Sequence, residues 1–558
     1  MLFPSLGSGP LERAEIYFMD VARAMVETGD WLVPRYQGEE FFDKPALTYW
    51  LMAASFRMLD VGLGTGRLVS ALAALGSILA TAWLARLLTD RRAAVAAALV
   101  FGTTVLVLGF GRVAMSDMLL TFWCTLGACL AVRATDARGA TPSRMLALGA
   151  VLGLGFLTKG PVALVFVGLA LALLVFRGLE GRRLRVGLRE AAFGGIAFAV
   201  VGLSWFAAVG WRLGREPLEY FFFRENLERF AGATYDAARP PFFYVGAYLA
   251  AGLPWSLLFP LAAWRGRTRV RFLLLWVALM AVPLTVSRGK IDYYLLPLLP
   301  AASIVVGAHL VAPWNRVDRA WARTALLLFA FLALAPAAVA SRFPTDWLPA
   351  WSGQVALILL GSAVSLAATL AALRPSPPRL ALVFALGTAA LFALLAGVFL
   401  PAFRARQPNA AVVADVRRER IFRPDAEVAA CGDPARVVRD LLFDARVVAQ
   451  DRCDVWNPAA SQRPFLLLVG PEERRSLEAV AGIREVAVYR TLPASALSLG
   501  SILAGLREEP FVLMANFQTD DPVAEIKRRQ DRKRALRQEA AAYAARLAAE
   551  AEAAAVRP

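Results

Sequence analysis

The sequence predicts a mostly α, polytopic transmembrane helical bundle with a small C-terminal α/β soluble domain. Three observations carry that expectation. The chain is 58% hydrophobic and 19% charged, with mean hydropathy +0.53, a balance found in bilayer-embedded chains and not in soluble globules. Apolar runs recur as far as residue 401, most of them long enough to cross hydrocarbon, with 272–287 short for a span. Arginines collect in alternate loops between those runs, as the orientation rule for membrane proteins demands.

Near its start the chain carries a polar stretch, residues 12–50, with eight acids opposed by Arg13, Arg23, Arg35 and Lys44. Glu12 and Glu15 are three apart and share a helix face, which Met19 and Ala22 extend with apolar side chains. Gly29 is the stop signal for that helix, and Pro34 keeps the following piece extended. Pro45 suits the first turn of a second amphipathic helix through Thr48, Tyr49 and Trp50. Acids, a lysine and aromatics at a membrane face suit the handling of an anionic, lipid-tethered substrate. A solvated pair of interfacial helices without chemistry fits the same composition.

Twelve runs follow, near 66–87, 92–110, 117–134, 144–160, 161–177, 190–211, 243–264, 272–287, 292–312, 320–341, 353–373 and 380–401. The stretch 144–177 reads either as two spans or as one long broken helix. Alternate loops hold Arg86, Arg91 and Arg92, then Arg133, Arg138 and Arg144, then Arg177, Arg182, Arg183, Arg185 and Arg189. The pattern continues through Arg265, Arg267, Arg269 and Arg271, through Arg316, Arg319 and Arg323, and through Arg374 and Arg379. These loops are assigned to the cytoplasm. A single miscounted helix would break the alternation. The formal charge of +17 therefore records orientation, and no nucleic-acid partner is expected.

The opposite loops are external and hold basic residues that violate the orientation rule. Candidates there are Arg112, Lys159, Arg224, Arg288 and Lys290, together with Asp117 and the tyrosines Tyr293 and Tyr294. An anionic ligand at that face accounts for them as a set; snorkelling helix ends account for any one alone. Four cysteines imply neither a disulfide framework nor a zinc cluster. The single histidine, His309, lies in an apolar run and reads as a packed interior residue.

Past residue 401 the pattern changes, giving domains of 1–401 (about twelve helices), 402–505 (α/β) and 506–558 (a charged helical tail). Strand-like runs are Glu427 to Ala430, Arg446 to Ala449 and Phe465 to Val469, and the helix count puts this domain outside the cytoplasm. Cys431 and Cys453 both fall in it, so a disulfide between them is expected there. Two unpaired thiols are the alternative.

Several phrases together resemble one family, the bacterial aminoarabinose transferases and their relatives among the protein O-mannosyltransferases. They are ARAMVETGDWLVP (22–34), FFDKPALTYW (41–50), GRVAMSDMLLTF (111–122), GFLTKGP (155–161), FFFRENLERF (221–230) and SRGKIDYYLLPLLP (287–300). The resemblance covers residues 12 to about 400. It implies a GT-C type membrane glycosyltransferase that moves a sugar, with inversion, from a polyprenyl phosphate to a lipid A, protein or polysaccharide acceptor. It further implies a multi-pass protein of the bacterial inner membrane with its site on the periplasmic face. Glu15 and Asp117 match the family's catalytic acids. Lys44, Lys159, Arg224, Lys290 and Tyr294 match positions around the lipid phosphate, and Glu12, Tyr49, Arg112, Arg288 and Tyr293 complete the candidate substrate-binding set. Relatives usually show an Asp-Glu pair where this chain has Ala14-Glu15, which leaves Glu15 or Glu12 as the base. The resemblance also implies one more helix before Met1, with MLFPSLGSGPL as its trailing end.

The chemistry asks for the same groups. A sugar phosphodiester needs cations for the departing phosphate and a carboxylate to take the acceptor proton. In that scheme Glu15, desolvated against Met19, Tyr17 and Phe18, is the base, and Asp117 orients. Asp117 would also serve as a plain helix cap, and Lys44 as an interfacial anchor. No cofactor is required; a divalent cation held by carboxylates stays open, and its ligands are unassigned. A secondary transporter of an anionic lipid or sugar is the competing class. Transporters place ionisable residues near the midplane within internal repeats, and no repeat is visible here.

Overall fold

A computed structural model describes residues 2–8, 13–179, 183–228, 232, 239–266, 268–340, 353–401, 409–423, 425–430, 448–449, 464–470, 474–475, 477, 482–491 and 509–516. The chain divides into two compact units, one of them spanning Met1–Arg406.

In the first unit the polar opening forms helix α1, Arg13–Thr28, which ends as expected at Gly29, where φ is +73° and the amide bonds back to Met25 O. A short hairpin follows, β1 at Arg35–Tyr36 and β2 at Glu39–Glu40, turned by Gln37 and Gly38 at positive φ. Helix α2, Leu47–Leu59, starts just after Pro45. Trp50 Nε1 donates to Trp31 O at 2.6 Å and Trp205 Nε1 to Leu32 O at 2.9 Å. Those two indoles pin the extended piece between α1 and the hairpin to the bundle.

The apolar runs all form helices. They are α3 (Leu63–Leu88), α4 (Arg91–Gly102), α5 (Val105–Phe110), α6 (Ser116–Arg133), α7 (Pro142–Lys159), α8 (Val162–Phe176), α9 (Leu188–Gly202), α10 (Ser204–Leu213) and α11 (Glu216–Glu219). A π-helical segment, Tyr220–Glu228, is followed by α12 (Phe243–Ala251), α13 (Phe259–Trp264) and α14 (Thr268–Val286). The 3-10 turn Asp292–Leu298 leads into α15 (Leu299–Leu310), α16 (Arg316–Leu332), α17 (Ala335–Ala340), α18 (Gly353–Leu373) and α19 (Pro377–Leu394). The stretch 144–177 resolves into two helices, broken at Gly160 and Pro161.

Several runs that read as single spans are broken. The 92–110 run breaks at Thr103 and Thr104, and 243–264 falls into three pieces around Pro254. Hydropathy registers the length of a run but not an interruption inside it. Among the described residues, four helices are long and apolar enough to cross a membrane: Leu63–Leu88, Asp292–Leu310, Val355–Leu373 and Pro377–Phe399. The pair α9 and α10, bent by 46°, would make a fifth.

Small residues let these helices approach closely, as they do in lipid-embedded bundles. A Cβ on Gly149 of α7 would lie 2.0 Å from the Gly194 carbonyl oxygen of α9, and one on Gly153 would lie 2.8 Å from the Gly202 nitrogen. Alanine at either position would force α7 and α9 apart.

The second unit contains helix α20 (Asn409–Phe422) and a five-stranded sheet in the order β4-β3-β5-β7-β6. The strands are β3 Glu427–Ala430, β4 Val448–Ala449, β5 Phe465–Val469, β6 Arg484–Thr491 and β7 Glu509–Ala515. β3 runs parallel to β4 and β5, whereas β7 runs antiparallel to both β5 and β6. Every residue of β5, FLLLV, is buried, as a continuous apolar run at the centre of a sheet requires. Tyr489 donates to Asp415 at 2.7 Å, and Arg484 pairs with Glu419, fixing α20 to β6. β7 falls inside the 506–558 segment expected as a charged helical tail, so that segment begins with a strand of the sheet, paired to β5; its residues 517–558, Cys431 and Cys453 lie outside the described residues.

Candidate active site

Helix ends and the turns between them bring chemistry-bearing side chains around one cavity of about 500 Å³ in the first unit. Asp43 and Lys44 enter it from the turn before α2, Asp117 from the first turn of α6, and Lys159 from the last turn of α7. Glu225 and Asn226 come from the π-helical segment, and Ser287 and Tyr294 from the connection between α14 and α15. Leu120, Val162, Phe166, Phe221, Phe222 and Leu284 supply apolar wall. The volume falls within the range of small-molecule sites, and an apolar wall with a few convergent polar groups is their usual chemistry.

The charges in the cavity are paired. Lys159 Nζ bonds Asp117 Oδ1 and lies 4.8 Å from the ring centre of Tyr294 and 5.8 Å from that of Tyr293. Lys44 Nζ bonds Glu225 Oε2 at 3.2 Å and its neighbour's Asp43 carbonyl at 2.7 Å. The Tyr220 hydroxyl donates to Asp43 Oδ1 at 2.8 Å. Each of the two cavity lysines is thus held by a carboxylate.

Local structure explains the placement. Gly160, at φ +69°, turns the chain sharply after Lys159, and a Cβ there would come within 2.7 Å of the Phe221 ring. Glycine is therefore needed twice over, for the left-handed backbone and for the aromatic packed on it. Phe221 and Phe222 join Phe156 and Phe206 in one aromatic cluster, which seats the π-helical segment. Segments of this kind often lie at functional sites.

Of the residues expected from sequence, Lys44, Asp117, Lys159 and Tyr294 line the cavity, with Tyr293 beside Lys159. Others are placed differently. Glu15 is fully buried away from the cavity lining, and Arg67 Nε and Nη2 grip its two oxygens at 2.8 Å each. Its Oε1 also accepts the Ala114 amide at 2.6 Å. The expected seat of Glu15 against Met19 and beside Lys44 overlooked Arg67, whose guanidinium claims the carboxylate from α3. Arg112 is likewise buried, donating to Leu2 O at 3.1 Å and Ser5 O at 2.6 Å, and to Pro4 O. It holds the N-terminal loop and does not line the cavity.

Arg224 and Arg288 are exposed, and neither lines the cavity. Lys290 is buried and donates to Ser287 O. Tyr49 is buried behind the site with no hydrogen-bond partner on its hydroxyl. Burial, with the charges of Asp43 and Glu225 adding, raises its pKa well above the usual phenol value and keeps it protonated. Glu12 lies outside the described residues. Sequence reasoning passed over Asp43, Glu225, Tyr220 and Arg67. His309 is buried as expected, its ring stacked on Trp314, with Nε2 3.8 Å from Asp318. Among the described residues, no group of three or more His, Cys, Asp or Glu is arranged to hold a metal ion.

This architecture defines a multi-pass membrane protein, a helical bundle with paired charges at the helix ends and a separate α/β unit. The solved structure of ArnT from Cupriavidus metallidurans, bound to undecaprenyl phosphate, shares the fold at TM-score 0.72, with 20% identity over 93% of this chain and 96% of that one. Residues 43–205 match the dolichyl-phosphate-mannose-protein mannosyltransferase family. The undecaprenyl phosphate-alpha-4-amino-4-deoxy-L-arabinose arabinosyl transferase of Pseudomonas aeruginosa UCBPP-PA14 is 35% identical over 53% of this chain and 55% of its own length. The enzyme of that name from Edwardsiella ictaluri is 31% identical over 53% and 54%. The chain spans about half the length of the curated relatives it matches. The resemblance drawn from the sequence phrases is borne out.

Proposed function

We propose that the protein transfers a sugar, with inversion, from a polyprenyl-phosphate donor to an acceptor, at the periplasmic face of the bacterial inner membrane. The twelve apolar runs are twelve crossings, the broken ones included. The relatives' names point to an amino-arabinose donor, and lipid A is the favoured acceptor class, with protein and polysaccharide as the others. The observation that carries the reading is the pair of lysines, Lys44 and Lys159, converging on one apolar-walled cavity with three carboxylates.

In this reading the two ammonium groups take the charge that develops on the departing phosphate. The leaving group is already ionised, so no general acid is needed. A cavity carboxylate removes the acceptor's proton as its oxygen attacks the anomeric carbon from the face opposite the phosphate. Asp43 suits that role. Its Oδ1 accepts the Tyr220 hydroxyl and it enters the cavity beside Lys44, whereas Glu15 lies outside the lining and is gripped by Arg67. Asp117 then positions Lys159.

The test is transfer from a labelled polyprenyl-phosphate sugar by the full chain in nanodiscs. Wild type is expected to turn over, and Lys44→Ala to raise KM for the donor by about tenfold or more, equivalent to about 1.4 kcal/mol. Absence of transfer to any acceptor class, together with donor flux across the bilayer, would replace the reading with transport.

A further inference from the structure

The described lining of the cavity holds three carboxylates, Asp43, Asp117 and Glu225, against two ammonium groups, Lys44 and Lys159. An anion that is to reach either ammonium group must compete with the carboxylate already bonded to it. Asp117 belongs to the first turn of α6 and Asp43 to the turn before α2. Glu225 differs. It belongs to the π-helical segment Tyr220–Glu228, wound more widely than an α-helix, and reaches Lys44 from 181 residues away in sequence. Its side chain is 3% exposed and that of Lys44 17%, so the pair is shielded from solvent and its charges act strongly on each other.

We infer that Glu225 is a positioning residue that occupies Lys44 in place of the phosphate, yields it when the anionic donor enters, and reclaims it when the spent carrier leaves. This rests on the glycosyl-transfer reading above. The exchange is a competition between two oxyanions for one ammonium group. Before loading, Glu225 holds Lys44 in the cavity and keeps it from snorkelling into the interface. After transfer, its return to Lys44 opposes the phosphate of the product. A group that merely braced the fold would, on removal, weaken binding. An internal competitor, on removal, strengthens it.

The experiment measures binding of undecaprenyl phosphate, without sugar, to the full chain in nanodiscs, followed by steady-state transfer. Glu225→Gln is expected to bind the lipid phosphate about tenfold tighter than wild type, which corresponds to about 1.4 kcal/mol. Its KM for donor and its kcat should both fall, because the product is held longer. Glu225→Asp keeps the charge and should return both values towards wild type. In a Lys44→Gln background the gain from Glu225→Gln should vanish, since the two act on each other.

Binding by Glu225→Gln that is equal to or weaker than wild type, in protein of unchanged melting temperature, would overturn the inference. If Glu225→Gln does not fold, Glu225→Asp decides. Its lengthened pair should bind the lipid phosphate tighter than wild type, and weaker binding would overturn the inference. Failure of wild type itself to bind undecaprenyl phosphate would overturn the underlying glycosyl-transfer reading instead.

Discussion

Asp43→Asn is expected to lower turnover by about 10²–10⁴-fold, the usual cost of losing a general base, while donor binding changes little. Asparagine keeps a carbonyl oxygen where Asp43 Oδ1 accepts the Tyr220 hydroxyl, so the turn before α2 should hold its place. What it loses is the capacity to take a proton. The separation of kcat from KM is the informative readout, because an interaction needed only in the transition state lowers kcat without raising KM. Asp117→Asn should behave differently. It removes the carboxylate that holds Lys159, so donor binding and turnover should shift together. The measurement is the transfer rate against donor concentration for both variants in nanodiscs. An Asp43→Asn enzyme that kept more than a tenth of wild-type kcat would remove Asp43 from the base role.

The bundle was legible because spanning length is a one-dimensional property, readable as a run of apolar residues bounded by arginines. Breaks inside the runs were not, because Thr103 and Thr104 are as compatible with a continuing helix as with the break found there. Lys44, Asp117, Lys159 and Tyr294 were legible because a charged or phenolic group beside an apolar run needs a reason to be there. Asp43 was passed over although it adjoins Lys44, since an Asp-Lys pair reads as local charge compensation.

Glu225 was passed over in favour of its neighbour Arg224. The segment YFFFRENLE reads as part of an external loop, and nothing in it gives warning of the π winding that sets the face each side chain presents. One signal was available for Glu15. Arg67 stands at the start of an otherwise apolar run, LGTGRLVSALAAL. A charge in that position calls for a buried partner, and Glu15 was the acid able to supply it.

The role of Glu15 gives the second large expected effect, on stability rather than on chemistry. Glu15→Gln should destabilise the protein by about 3–5 kcal/mol, because it leaves the Arg67 guanidinium buried without its counter-charge. Arg67 is 4% exposed and also donates to Leu6 O at 3.1 Å and Ser8 O at 2.7 Å. Glu15 in turn holds the Ala114 amide. The pair therefore ties α1, α3, the N-terminal loop and the turn before α6 together, and its loss loosens the wall from which Asp117 projects. Replacing both partners, Glu15→Gln with Arg67→Met, should recover much of the loss, since it removes the uncompensated buried charge of the half-pair and leaves a neutral amide whose oxygen can still accept from the Ala114 amide. Thermal unfolding of purified protein in detergent measures all three variants against wild type. A general base would give the opposite pattern, with melting of Glu15→Gln unchanged, turnover lost, and the double replacement no better than the single one.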